Sequence, residues 1–188
     1  QQGLVNKYAA EAFNGWNLFL RDGHVRAWYF RDSTRFVWDG PDGLDGGFIA
    51  DGVWHHIAFT VDASGGRLYV DGKHKAFRVW SGASGATGTM RQMRLGNYPG
   101  GILSFTNGTF SLDEISLWRV ALSSSQIQSN RFTNLTGDEA DLVALYHCDE
   151  GSGSTVADSA PLEGNNQATW IGMPSFVPTS KTSRAASE

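Results

Sequence analysis

The chain has 188 residues, 40% hydrophobic and 18% charged, with 15 Lys and Arg against 19 Asp and Glu for a formal net charge of −4. That balance argues against a protein that grips nucleic acid by its phosphates, and the aromatic content argues against a disordered chain. One cysteine, Cys148, excludes an internal disulfide and a multi-cysteine metal site, and no apolar run reaches the length of a membrane-spanning helix.

A chain of this size buries about 70% of its unfolded surface, enough for one core. Its 23 glycines, 7 tryptophans, 11 phenylalanines and 5 tyrosines point to short strands joined by tight turns. Six Asp-Gly pairs begin at Asp22, Asp39, Asp42, Asp45, Asp51 and Asp71, and such pairs accept the positive φ of hairpin turns. In chain order, Trp16–Leu20 reads as a strand, Arg21–His24 as its turn and Val25–Phe30 as the return. Arg35–Trp38 is a shorter strand and Asp39–Gly47 a loop. Trp54–Val61 alternates, with His55, Ile57, Phe59 and Val61 forming the better core face. Arg67–Trp80 is the clearest hairpin, turning at Asp71-Gly72. Ser81–Gly88 is a loop, and Met93–Asn97 and Phe110–Trp118 are strands. Ser123–Ser129 is a short helix whose Ser123 and Gln126 match a capping box. Leu142–Tyr146 and Asn166–Ile171 are late strands, and residues 173–188 read as a flexible tail. About ten strands with one short helix predict an all-β antiparallel sandwich over residues 1–172.

Three groups of segments carry a resemblance. They are Trp54-His-His-Ile-Ala-Phe-Thr-Val-Asp62 with Leu68-Tyr-Val-Asp-Gly72; Met93-Arg-Leu-Gly96 with Phe110-Ser-Leu-Asp-Glu-Ile-Ser-Leu-Trp118 and Ala121–Ile127; and Leu135–Glu139 with Leu142–Tyr146 and Asp149–Gly153. Together they resemble the laminin-G-like, or concanavalin A-like lectin/glucanase, domains, the bacterial type above all. The resemblance implies a jelly-roll β-sandwich outside the cell or on its surface, with Trp54, Trp118 and Trp170 in the core. In that family a segment carrying the first strands precedes the stretch matched by Leu4-Val-Asn-Lys7. The expectation is that another polypeptide segment supplies those strands and covers Phe59, Leu68, Val70, Ile115 and Leu117; a permuted fold is the alternative.

Candidate sites follow from residue chemistry. Sugar rings stack on exposed aromatic faces while their hydroxyls need polar neighbours. Trp28, Trp38, Trp80 and Tyr98, with Arg26 beside Trp28, are the ligand-binding candidates, set against plain packing of the same rings. Asp39, Asp42 and Asp45, with Asp51 beyond, are four uncompensated carboxylates in a Gly-rich loop. Oxygen ligands of that kind suit calcium, and relatives in the resembled family hold calcium at the sandwich rim; solvated Asp-Gly turns are the other reading. Asp113 and Asp158 are candidates for a structural ion elsewhere. Catalysis is not expected: Asp113 and Glu114 alternate to opposite faces of a strand, whereas glycoside hydrolysis needs facing carboxyls. His24, Tyr29 and Arg26 could be arranged as a lyase site, but many strands would serve as well. The leading expectation is a non-catalytic carbohydrate-binding module. Behind it stand an adhesion domain with an extracellular protein partner and a part of a polysaccharide-degrading enzyme.

Overall fold

The computed structural model describes residues 2–32, 35–36, 43–96, 110–160 and 167–169. Thirteen strands are present, with a 3-10 turn at Ala10–Ala12 and one α-helix among the described residues. The chain divides into two compact units, Gln1–Thr109 and Phe110–Glu188.

In the first unit, β1 (Gln2–Ala9), β2 (Asn14–Arg21) and β3 (His24–Asp32) form an antiparallel meander. β4 (Arg35–Phe36) and β5 (Leu44–Phe48) both pair with β3, and β9 (Arg94–Leu95) pairs with β1 at Val5 and Asn6. β1 therefore has a strand on each side. A second antiparallel sheet holds β6 (Ile57–Asp62), β7 (Gly65–Val70) and β8 (Lys73–Arg78), with β8 at one edge. At the β2–β3 and β7–β8 turns an Asp-Gly pair takes φ of 53° and 79°, then 51° and 70°, as type I′ hairpins require.

The two sheets of this unit pack through β3 and β5 on one side and β7 and β8 on the other. Val25, Ala27, Leu44, Leu68 and Val70 are all at most 4% exposed there. β5 forms where a loop was expected, and Gly46 shows why the signal was weak. A Cβ on Gly46 would lie 2.6 Å from Val25 Cγ1 and 3.0 Å from Leu68 Cδ2, so the strand needs glycine for its close approach. Part of the other face of β2 and β3, around Trp28, is buried as well. Trp28 lies 4.6 Å from Phe19 and 6.0 Å from Tyr8, ring centre to ring centre. Asn17 pairs with Trp28 in the ladder, and its amide atoms and the Trp28 Nε1 are buried without hydrogen-bond partners.

In the second unit β10 (Ile115–Trp118) pairs with β11 (Leu142–Tyr146), and β12 (Thr155–Val156) with β13 (Ala168–Thr169). Trp118 packs on Leu135, Leu142, Leu145 and Ala160. Helix α1 (Ser124–Asn130) has the expected capping box: Ser123 Oγ accepts from Gln126 N, and Gln126 Oε1 accepts from Ser123 N at 2.9 Å. It seats Ile127, 1% exposed. Among the described residues no sheet closes on itself, and no helix is long and apolar enough to cross a membrane. The fold is all-β, with several antiparallel sheets and one short helix.

Candidate functional site

Pairing of β3 with β5 sets Arg26 opposite Asp45. Arg26 Nη2 meets Asp45 Oδ2 at 3.0 Å, and His24 Nδ1 meets Asp45 Oδ1 at 3.0 Å. The backbone N–H of Gly47 donates to the same Oδ1 at 2.8 Å. Burial alone would raise the Asp45 carboxyl; the Gly47 N–H, His24 and Arg26 outweigh it and hold the group below the usual carboxylate range. Phe48, 59% exposed, stands edge-on to His24 with ring centres 6.0 Å apart. The result is a carboxylate, a guanidinium and an imidazole beside an open aromatic ring.

Further along, His55 lies between two carboxylates. Its Nδ1 is 2.8 Å from Asp71 Oδ2 and its Nε2 3.1 Å from Asp51 Oδ1. Carboxylates only accept, so both ring nitrogens carry protons in this arrangement. Burial would push the imidazole down, but Asp71 and then Asp51 hold it above its ordinary value. The Val53 N–H and His55 in turn lower the Asp51 carboxyl. Asp71 Oδ1 also accepts the His56 N–H at 3.0 Å, which clasps the start of β6 to the β7–β8 turn.

The sequence-predicted residues fall into different places. Arg26 and Asp45 come together, although they were expected in different sites. Trp28 is 5% exposed, because the face of β3 that carries it is covered; the indole offers no open platform. Trp80 is half-buried: its Nε1 donates to the Asp62 carbonyl at 2.8 Å and its ring meets Tyr29 edge-on at 5.6 Å. Trp38, Tyr98, Asp39 and Asp42 lie outside the described residues, as do Trp170 and the tail. Asp45 Oδ1 already meets His24 Nδ1 and the Gly47 N–H, and Oδ2 meets the Arg26 guanidinium, so in this arrangement it does not fit a calcium ligand set. Among the described residues no group of three or more His, Cys, Asp or Glu is placed to hold an ion. Asp158 Oδ1 accepts the Leu145 and Ala160 N–H groups, each at 2.9 Å. Trp54, expected in the core, is 38% exposed. Leu68 and Val70 are buried, and Phe59, Ile115 and Leu117 half-buried.

In the second unit Glu114 is not in a strand at all. It sits at φ 51°, and its Oε2 meets His147 Nδ1 at 3.1 Å. Burial, aided by Asp113, Glu150 and other nearby carboxylates, pushes the Cys148 thiol up to about 12, which favours the thiol over the nucleophilic thiolate. Sequence reasoning missed Phe48, whose only signal was an aromatic closing the Asp45-Gly-Gly run.

The segment from Ala83 to Arg91 crosses the ends of β3, β2 and the 3-10 turn. Arg31 donates to the Ala83 and Ser84 carbonyls, Tyr29 to the Gly85 carbonyl, and Thr87 and Arg91 pair with Asn14 and Glu11. No curated protein and no solved structure matches the chain. A family model does match, over residues 4–128. Since that stretch is most of the chain, the protein belongs to the concanavalin A-like lectin/glucanases superfamily.

Proposed function

We propose that this chain is a non-catalytic carbohydrate-recognition module of a secreted or surface protein, built on a jelly-roll sandwich. The observation that carries the reading is the exposed Phe48 ring beside the Arg26–Asp45–His24 group. A sugar ring can lie on an aromatic face while a carboxylate and a guanidinium bind adjacent hydroxyls, the usual composition of a ligand site. Membership in a lectin/glucanase superfamily supports the same reading. Binding is favoured over hydrolysis because Asp45 faces an arginine and a histidine rather than the second carboxyl that glycoside hydrolysis requires.

The test is a glycan array followed by Phe48→Ala and Asp45→Ala. Phe48→Ala should weaken binding by about tenfold or more, the range of a central aromatic contact, with its melting temperature retained because the ring is exposed. Silence across plant, algal and animal glycans, or binding indifferent to both substitutions, would defeat the proposal. Silence together with binding to an extracellular-matrix protein would favour the adhesion reading.

A further inference from the structure

In the first unit, arginines repeatedly sit beside acids. Arg21, Arg26, Arg31, Arg67 and Arg91 pair with Asp22, Asp45, Asp32, Asp62 and Glu11. Strand β8 breaks that pattern. Its sequence is Lys-His-Lys-Ala-Phe-Arg, and Lys73, His74, Lys75 and Arg78 are all exposed. None of Lys73, Lys75 and Arg78 forms an ion pair among the described residues. Among the described residues β8 is also an edge of its sheet, hydrogen-bonded to β7 alone, and it packs beside β5 of the other sheet. A bulge opposite Leu68 and Tyr69 leaves Lys75 with no residue facing it on β7. Phe77, 40% exposed, interrupts the run of cations.

We propose that the β8 edge is a docking surface for a linear anionic polysaccharide, one bearing sulfate or carboxylate groups along its length. Lys73 to Arg78 spans about 17 Å of strand, so each cation lies near or within a screening length of the next and their potentials add. In a chain of net charge −4 this local surplus is a departure that surface composition does not require. Charge complementarity selects an extended polyanion, and the choice of a polysaccharide over an acidic polypeptide rests on the carbohydrate reading above. Lysines on a strand edge also discourage pairing with a second sheet, so protection of the edge is the competing account.

The experiment measures binding of the full chain to dextran sulfate, polygalacturonate, uncharged dextran and poly-L-glutamate by calorimetry. A K73E/K75E/R78E variant and a single Lys75→Gln variant are compared with it, and melting curves confirm folding. The expected result is binding to both anionic polysaccharides and not to dextran. Affinity should fall about tenfold or more between about 50 and about 200 mM salt. It should drop at least as far in the triple variant and measurably in Lys75→Gln. No binding to either polymer, or binding that survives the triple substitution, overturns the proposal. Equal binding of poly-L-glutamate overturns it too, in favour of an acidic protein partner. Increased light scattering by the triple variant, without lost polyanion binding, would assign the cations to edge protection. A neutral glycan that still binds through Phe48 when the polyanions do not would leave the carbohydrate reading standing and remove this one alone.

Discussion

The segment from Asp45 to Asp71 and the strand that follows it carry opposite charge and opposite fates. Asp45 is held by Arg26, His24 and a backbone N–H, and Asp51 and Asp71 share His55. On β8 the cations Lys73, Lys75 and Arg78 have no such partners among the described residues. In sequence the acidic run is a candidate ion site and the basic run only the return strand of a hairpin. The structure reverses the weight: these carboxylates are structural ties, and on β8 the charge without a partner among the described residues is positive. A charge the fold already uses has only its remaining lone pairs or N–H groups to offer a ligand, whereas one without a partner offers its whole charge.

That contrast can be broken by substitution. Asp71→Ala removes a carboxylate that takes His55 and the His56 N–H, and should cost roughly 3 kcal/mol in urea unfolding. A loss under about 1 kcal/mol would mean that the clasp contributes little. Gly46→Ala forces a methyl against Val25 and Leu68 and should cost about 2 kcal/mol by the same measurement. An unchanged stability would show that β5 does not press on the second sheet.

The pH dependence is smaller and two-sided. His55 is raised in the folded chain, so its contribution is full below the unfolded imidazole value and lost as pH rises through the folded one. Asp45 and Asp51 are lowered, so theirs is present above the unfolded carboxylate value and lost as pH falls through the folded ones. Melting temperature against pH should therefore decline on both sides of a plateau. His55→Gln should remove the alkaline decline that begins near neutrality, and a variant that keeps it would put the cause elsewhere. Least of all, changing Lys73, Lys75 and Arg78 together to Gln should move stability by less than about 0.5 kcal/mol, since no ion pair among the described residues is lost. A larger change would reveal that these cations do hold something in place.

What could be read from sequence was local. The Asp71-Gly72 turn, the Ser123–Gln126 capping box and the strand Leu142–Tyr146 depend on neighbours within a few residues, and each stands where it was expected. β5 was hidden because its Asp-Gly content is that of a loop, while its glycine serves a contact with another sheet. β10 starts later than expected because Glu114 takes a left-handed backbone that ends the extended run. The site was least legible. Asp45 meets His24 across 21 positions of sequence, and nothing near either residue announces it. Trp28 looked available because alternation marks which residues share a face and not whether that face is covered.

The β6–β7 hairpin is tied by an aspartate at each end. At its turn, Asp62 accepts from Ser64 N at 2.7 Å and Gly65 N at 3.2 Å and pairs with Arg67 at 2.8 Å. At its open end, Asp71 N donates to the His56 carbonyl at 2.8 Å while the Asp71 carboxylate holds His55 and His56. Hairpins ordinarily lose their hydrogen bonds from the open end inward, which gives a gradient of amide exchange along the strands. With both ends fastened there is no free end from which to begin. The amides bonded across the β6–β7 ladder should then exchange at one common rate, in a single opening event, and Asp71→Ala should restore the gradient from His56 inward.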